Sequence, residues 1–147
     1  MSTIAELAPA DAPAELPTIL AALTHDATDP NWACTVVPTV PPAEMLLGPI
    51  TASACRAIVI RQNTTIVGFT TMDPDGRLGW LILDTDQFAT LLAELCDWIL
   101  ATYGVNAWGT VEDNNQRFAT MDADPNVAIE SVVVEGDRFA AVVRWQP

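Results

Sequence analysis

The segment LGWLILDTDQFATLLAELCDWILATYG, residues 78–104, decides how the fold is read. Its first six residues, Leu78–Leu83, form an almost unbroken apolar run of strand length, the pattern of a strand covered on both faces. From Phe88 the period changes, and Leu91, Leu92, Leu95, Ile99 and Thr102 follow one helical face. Asp84 with Gln87 three residues on has the form of a capping box. Gly104 stands where a left-handed residue closes a helix. The segment therefore predicts a central strand running directly into one continuous helix over residues 84–103.

Upstream, residues 56–61 (RAIVIR) and 66–72 (IVGFTTM) read as two strands of a hairpin around the turn 62–65. Residues 73–76 (DPDG) form a turn by composition. Downstream, residues 105–111 read as a strand, and the polar cluster 112–115 leads into a short helix over 116–121. The strands 128–134 and 139–145 then form an antiparallel pair around residues 135–137. At the N-terminal end, residues 3–7 make an edge strand. Leu16, Ile19, Leu20 and Leu23 mark a helix ending near residues 24–26, with Pro17 placed in its first turn. Residues 26–49 hold Pro30, Pro38, Pro41, Pro42 and Pro49, which predicts an irregular connection with one short helical turn near 43–47. The resulting order predicts an α/β (α+β) chain, one domain over 1–147, with a mixed, mostly antiparallel sheet flanked by helices. The strands on either side of the long helix should run parallel.

Charge and composition narrow the function classes. There are 19 acidic residues against 6 basic ones, all of them arginine, giving a net charge of −13. Such a surface repels phosphate backbones and anionic lipid, which argues against nucleic-acid and membrane partners and favours basic ones. Cys34, Cys55 and Cys96 are odd in number and widely spaced, so neither a disulfide framework nor a zinc site is expected. Residues 1–7 carry Glu6 where a secretory signal would start basic, and no run approaches the ~20 apolar residues of a bilayer span. The expectation is a soluble, cytoplasmic protein, or part of a particle assembled inside a cell.

The succession of hairpin, central strand, long helix, strand and Asn-led short helix resembles the GNAT N-acetyltransferase superfamily over nearly the whole chain. The local matches are residues 66–69 (IVGF), 79–83 (GWLIL) and 108–114 (WGTVEDN). The resemblance implies acetyl-CoA chemistry, in which a Gln/Arg-x-x-Gly-x-Gly/Ala loop between central strand and long helix cradles the cofactor's diphosphate. This sequence departs from that pattern. No glycine falls between Gly79 and Gly104, no arginine lies nearby, and Asp84 and Asp86 stand where the anion would rest.

Two readings of function follow. The departure predicts a non-catalytic scaffold, a pseudoenzyme without cofactor. It would act through a protein partner, as a homo-oligomer or within a larger assembly such as a virion, or as an adaptor. The alternative is a divergent acetyl-CoA-dependent N-acetyltransferase. In that case Leu81, Ile82 and Leu83 with Asn114 and Asn115 would lie along the cofactor, and Glu112 and Asp113 would be the candidate general bases. The family's usual tyrosine acid is missing after the Asn, where Phe118, Met121 and Asp122 stand. The one tyrosine, Tyr103, sits at the far end of the long helix. His25 has no second ligand or nucleophile beside it in sequence, and no metal site is expected. Trp80, Trp98, Trp108 and Trp145 lie on predicted elements and are expected in the core, and Trp32 as a lid over it.

Overall fold

The order of elements in the computed structural model is β1 (Ser2–Leu7), α1 (Ala12–Ala22), α2 (Ala43–Thr51), β2 (Arg56–Gln62), β3 (Thr65–Met72), β4 (Leu78–Leu83), α3 (Phe88–Tyr103), β5 (Trp108–Glu112), α4 (Gln116–Ala123), β6 (Val127–Glu135) and β7 (Arg138–Trp145). The structure describes residues 2–24, 43–112, 116–135 and 138–147. His25, Trp32, Cys34, Asp113, Asn114 and Asn115 lie outside these.

The strands form two antiparallel sheets, ordered β1-β2-β3-β4 and β5-β7-β6. They meet at one parallel bridge, Arg77 with Trp108, where the Trp108 N–H donates to the Gly76 carbonyl at 3.1 Å. The mostly antiparallel, helix-flanked architecture read from the sequence is present, but Leu78–Leu83, read as a central strand, is the end strand of its sheet and forms a ladder with β3 alone among the described residues. Cover on both faces, not central pairing, accounts for its apolar run. The parallel relation of β4 and β5 survives only at that bridge; on its other edge β5 pairs along its length with β7.

The four-stranded sheet is covered on both faces, and this explains its apolar strands. Ile58, Ile60, Val67, Leu81 and Leu83 pack towards α3 with Leu91, Leu95 and Ile99. Ala57, Val59, Phe69 and Ile82 face the other way, against Leu16, Ile19 and Leu20 of α1 and Leu46 and Ile50 of α2. Alternation within each strand thus divides the residues between two cores.

Four boundaries differ from the sequence reading, each for a local reason. The long helix begins at Phe88, four residues late, because Asp84 is still held by the sheet: its N–H donates to the Val67 carbonyl at 2.8 Å. Residues Thr85–Gln87 form a 3₁₀ turn that swings Phe88 into the core. Helix α1 begins at Ala12, so Pro17 lies inside it; Pro13 and Pro17 both sit on the exposed face, where the carbonyl left without a partner can be solvated. Helix α2 runs to Thr51, past the predicted single turn, since Pro49 falls late enough that Thr51 Oγ1 can donate to the Leu47 carbonyl at 2.7 Å. Strand β5 starts at Trp108, not 105, because Asn106 is held at the sheet's end, its side chain donating to the Trp145 carbonyl at 2.9 Å.

Candidate active site

Strand β4 carries a bulge. Thr70 pairs with Leu81 and Met72 with Leu78, so Gly79 and Trp80 together oppose Thr71. The Trp80 N–H donates to Thr71 Oγ1 at 3.0 Å. A Cβ on Gly79 would stand 2.5 Å from that oxygen, so the bond needs glycine there. Beyond the bulge, Leu83, Ile82 and Leu81 pair with Gly68, Phe69 and Thr70 on one side. The other edge of β4 faces β5, which belongs to the second sheet. Among the described residues the two strands share no ladder beyond the Arg77–Trp108 bridge. An apolar cavity of about 30 Å³, lined by Leu78 and Leu81 of β4, Leu92 and Cys96 of α3 and Met121 of α4, lies under this seam. The side chains of Leu81, Ile82 and Leu83 are wholly buried, so only their backbone can serve a ligand.

At the C-terminal end of β4 stands the turn 84–87. Asp84 Oδ1 accepts from the Asp86 N–H at 2.9 Å, and Oδ2 accepts from the Gln87 side-chain amide at 3.0 Å. The Gln87 N–H donates to the Asp84 carbonyl at 3.1 Å. Gln87 and Gln62 exchange amide hydrogen bonds of 2.7 and 3.2 Å, tying the turn to β2. A helix N-terminus binds a diphosphate through converging backbone N–H groups and a positive field. Here two of those N–H groups are already bonded within the turn, and two carboxylates stand beside the rest. The turn does not fit the diphosphate of coenzyme A.

Across the sheet, a second cleft of about 310 Å³ lies between α2 and the bulge, with Met45, Cys55, Thr71, Asp73 and Trp80 on its walls. Burial, then the charge of Asp73, pushes the Cys55 thiol up, so it stays protonated and is a poor nucleophile. Trp80 is half-buried against the α1–α2 side and shares the walls of this cleft with the exposed Asp73. The bulge and this cleft were not read from the sequence, although two signals were present. Thr70 and Thr71 interrupt an apolar strand, and Gly79-Trp80 breaks the alternation of the next.

The remaining candidates separate. Glu112 ends β5, opposite Ala140 of β7. Met121 is buried and Phe118 half-buried against the α3 core, so neither stands in for a tyrosine acid. Tyr103 is at the far end of α3, its hydroxyl donating to Glu6 at 2.6 Å. Of the tryptophans, Trp145 is buried and its indole N–H donates to Asp97 at 3.0 Å. Trp80 and Trp98 are half-buried and pack against the edges of the two cores, and Trp108 is half-buried outside them. The guanidinium carbons of Arg77 and Arg144 lie 5.4 and 5.5 Å from the Trp108 ring centroid. Among the described residues no three His, Cys, Asp or Glu side chains group as a metal site, and no helix is long and apolar enough to cross a membrane.

No family profile matches the sequence, and no curated protein is significantly similar to it. Solved structures are. A GNAT-family acetyltransferase from Bacillus cereus superposes with a TM-score of 0.62 at 13% identity, over 99% of this chain and 97% of the other. The fold is that of the GNAT acetyltransferases. PaiA N-acetyltransferase from Thermoplasma acidophilum, solved with coenzyme A, gives a TM-score of 0.64 at 14% identity over 99% of both chains. An aminoglycoside acetyltransferase, also solved with coenzyme A, gives 0.67 at 12% identity over 99% and 95%. The GNAT fold is thus present here, while the turn after β4 is closed by Asp84.

Proposed function

We propose that the protein is a divergent N-acyltransferase on the GNAT fold, taking a thioester donor whose arm lies along the outer edge of β4. The lack of a ladder between β4 and β5 beyond the Arg77–Trp108 bridge carries this reading, since it leaves the β5-facing edge of Leu81–Leu83 without a strand partner among the described residues. The coenzyme A complexes of two similar folds agree with it. The acceptor is a cationic amine, for which the cleft beside Asp73 and Trp80 offers a carboxylate and an aromatic face. The net charge of −13 would draw such an acceptor in. Glu112 and Asp113, at and beyond the end of β5, are the proposed bases.

One observation favours the second reading, a non-catalytic scaffold working through protein contacts: the acid-capped turn at residues 84–87. Calorimetric titration with acetyl-CoA separates the two. Saturable binding with Kd between about 10 μM and 1 mM, about −7 to −4 kcal/mol, supports the transferase. A flat titration to millimolar cofactor assigns the scaffold.

A further inference from the structure

Away from the seam, three polar side chains from distant parts of the chain meet at one carboxylate oxygen. Glu6 Oε1 of β1 accepts from Arg56 Nη1 of β2 at 2.6 Å and from the Tyr103 hydroxyl at the end of α3 at 2.6 Å. The guanidinium carbon of Arg56 lies 4.5 Å from the Tyr103 ring centroid. Beside this trio opens a cleft of about 350 Å³, walled by Leu7, Ile50, Met72 and Val105. It sits at the opposite end of β4 from the 84–87 turn, since Met72 pairs with Leu78, the first residue of that strand.

We propose that this cleft binds a free α-amino acid with an apolar side chain. Both contacts to Glu6 use Oε1, leaving Oε2 to accept from an ammonium group. Arg56 has five N–H donors in a fork that suits a carboxylate, and Glu6 engages Nη1. The Tyr103 hydroxyl keeps its proton, because burial and the bond to Glu6 push its pKa up to about 12, so it remains a donor at the same point. The four apolar walls take the side chain, and the volume is at the small end of ligand pockets. Net charge selects among ligand types. A chain of −13 repels a simple anion from Arg56, and a simple cation leaves Arg56 unused, whereas a zwitterion uses both groups at no net charge.

The test is a calorimetric titration of the full chain with L-leucine, L-methionine and L-phenylalanine, beside N-acetyl-L-leucine and L-leucinamide. Saturable binding of the free amino acids is expected, with each blocked leucine weaker by about tenfold or more through loss of one charged hydrogen-bond partner. Glu6→Gln should weaken leucine and leave N-acetylleucine unchanged; Arg56→Ala should weaken leucine and leave leucinamide unchanged. Near-UV circular dichroism checks that the variants fold. Should either fail to fold, amide chemical-shift changes in the wild-type protein decide, and they should centre on Glu6, Arg56 and Tyr103. No saturation by about 20 mM of any of the three amino acids overturns the proposal, as do blocked derivatives that bind as well as leucine, or shifts centred elsewhere.

Discussion

Asp84 and Gln87 are joined twice, the Gln87 N–H donating to the Asp84 carbonyl at 3.1 Å and its side-chain amide to Asp84 Oδ2 at 3.0 Å. The pair closes the turn on itself. In the capping box read from the sequence, the Gln87 side chain would reach back to the Asp84 backbone N–H. That N–H is already bonded to Val67, so the amide turns to the carboxylate instead. A site that would otherwise offer donors to an anion has become a closed hydrogen-bonded ring.

The turn is nevertheless a minor part of the stability. Leu91 and Leu95 are fully buried on α3, so either one changed to alanine should cost about 2–5 kcal/mol by urea denaturation. Asp84→Ala should cost about 0.5–2 kcal/mol, the range for losing a cap. A cap variant as damaging as the core variants would show that the closed turn holds β4 and α3 together.

Tyr103 should titrate late. Burial raises its pKa first, followed by the hydrogen bond to Glu6 and the Glu6 charge, to about 12. A raised folded-state pKa means that its contribution to stability is complete below the ordinary tyrosine value near 10 and is lost as pH rises from about 10 through 12. Glu6 works at the other end of the scale. Burial alone would raise its carboxyl, but the bonds from Tyr103 and Arg56 and the charge of Arg56 hold it below the ordinary value. Its contribution is present above the ordinary carboxylate range and fades as pH falls below it. With one tyrosine in the chain, phenolate absorbance reports Tyr103 alone. In Glu6→Gln the midpoint should move down towards 10.

Gly79→Ala should be costly for a change of one methyl group. The new Cβ would meet Thr71 Oγ1 at 2.5 Å, so the threonine must move and the Trp80 N–H loses its acceptor. An unmade bond of this kind costs about 1–3 kcal/mol. Thr71→Val, which replaces the hydroxyl with a methyl group and so removes the acceptor, should lose a similar amount. If Gly79→Ala were neutral while Thr71→Val was not, the bulge would relax more readily than its geometry indicates.

The fold was legible in the sequence where periodicity is long and two-sided, as in Leu78–Leu83 and the Leu91, Leu95 and Ile99 face, because burial on both sides leaves little else for such residues to do. The start of α3 was not, since Asp84 is at once the last residue tied to the sheet and the cap of a 3₁₀ turn, and both roles suit the same residue type. Most of the site was hidden for a different reason. Thr71 and Trp80 meet across a hairpin, and Glu6, Arg56 and Tyr103 meet from 50 and 97 residues apart. Spacing along the chain carries no signal for such contacts. The absence of a glycine-rich turn could be read directly, because it concerns a contiguous segment.

If the turn contributes nothing to holding a diphosphate, the phosphate-bearing half of the donor should be dispensable. In a helix N-terminus with free N–H groups, the diphosphate would add several charge-assisted hydrogen bonds, each worth about 1.5–3 kcal/mol. Here the Asp86 and Gln87 N–H groups are bonded to Asp84, and the carboxylates of Asp84 and Asp86 repel the added charge. S-acetylpantetheine, which has the arm and no phosphate, should therefore bind within about threefold of acetyl-CoA, a difference below about 1 kcal/mol. Raising the salt concentration should tighten acetyl-CoA slightly, by screening the repulsion, and leave S-acetylpantetheine unchanged. Acetyl-CoA binding a hundredfold tighter than its truncated form would mean that the diphosphate finds donors elsewhere, and the arm along β4 would no longer be the principal contact.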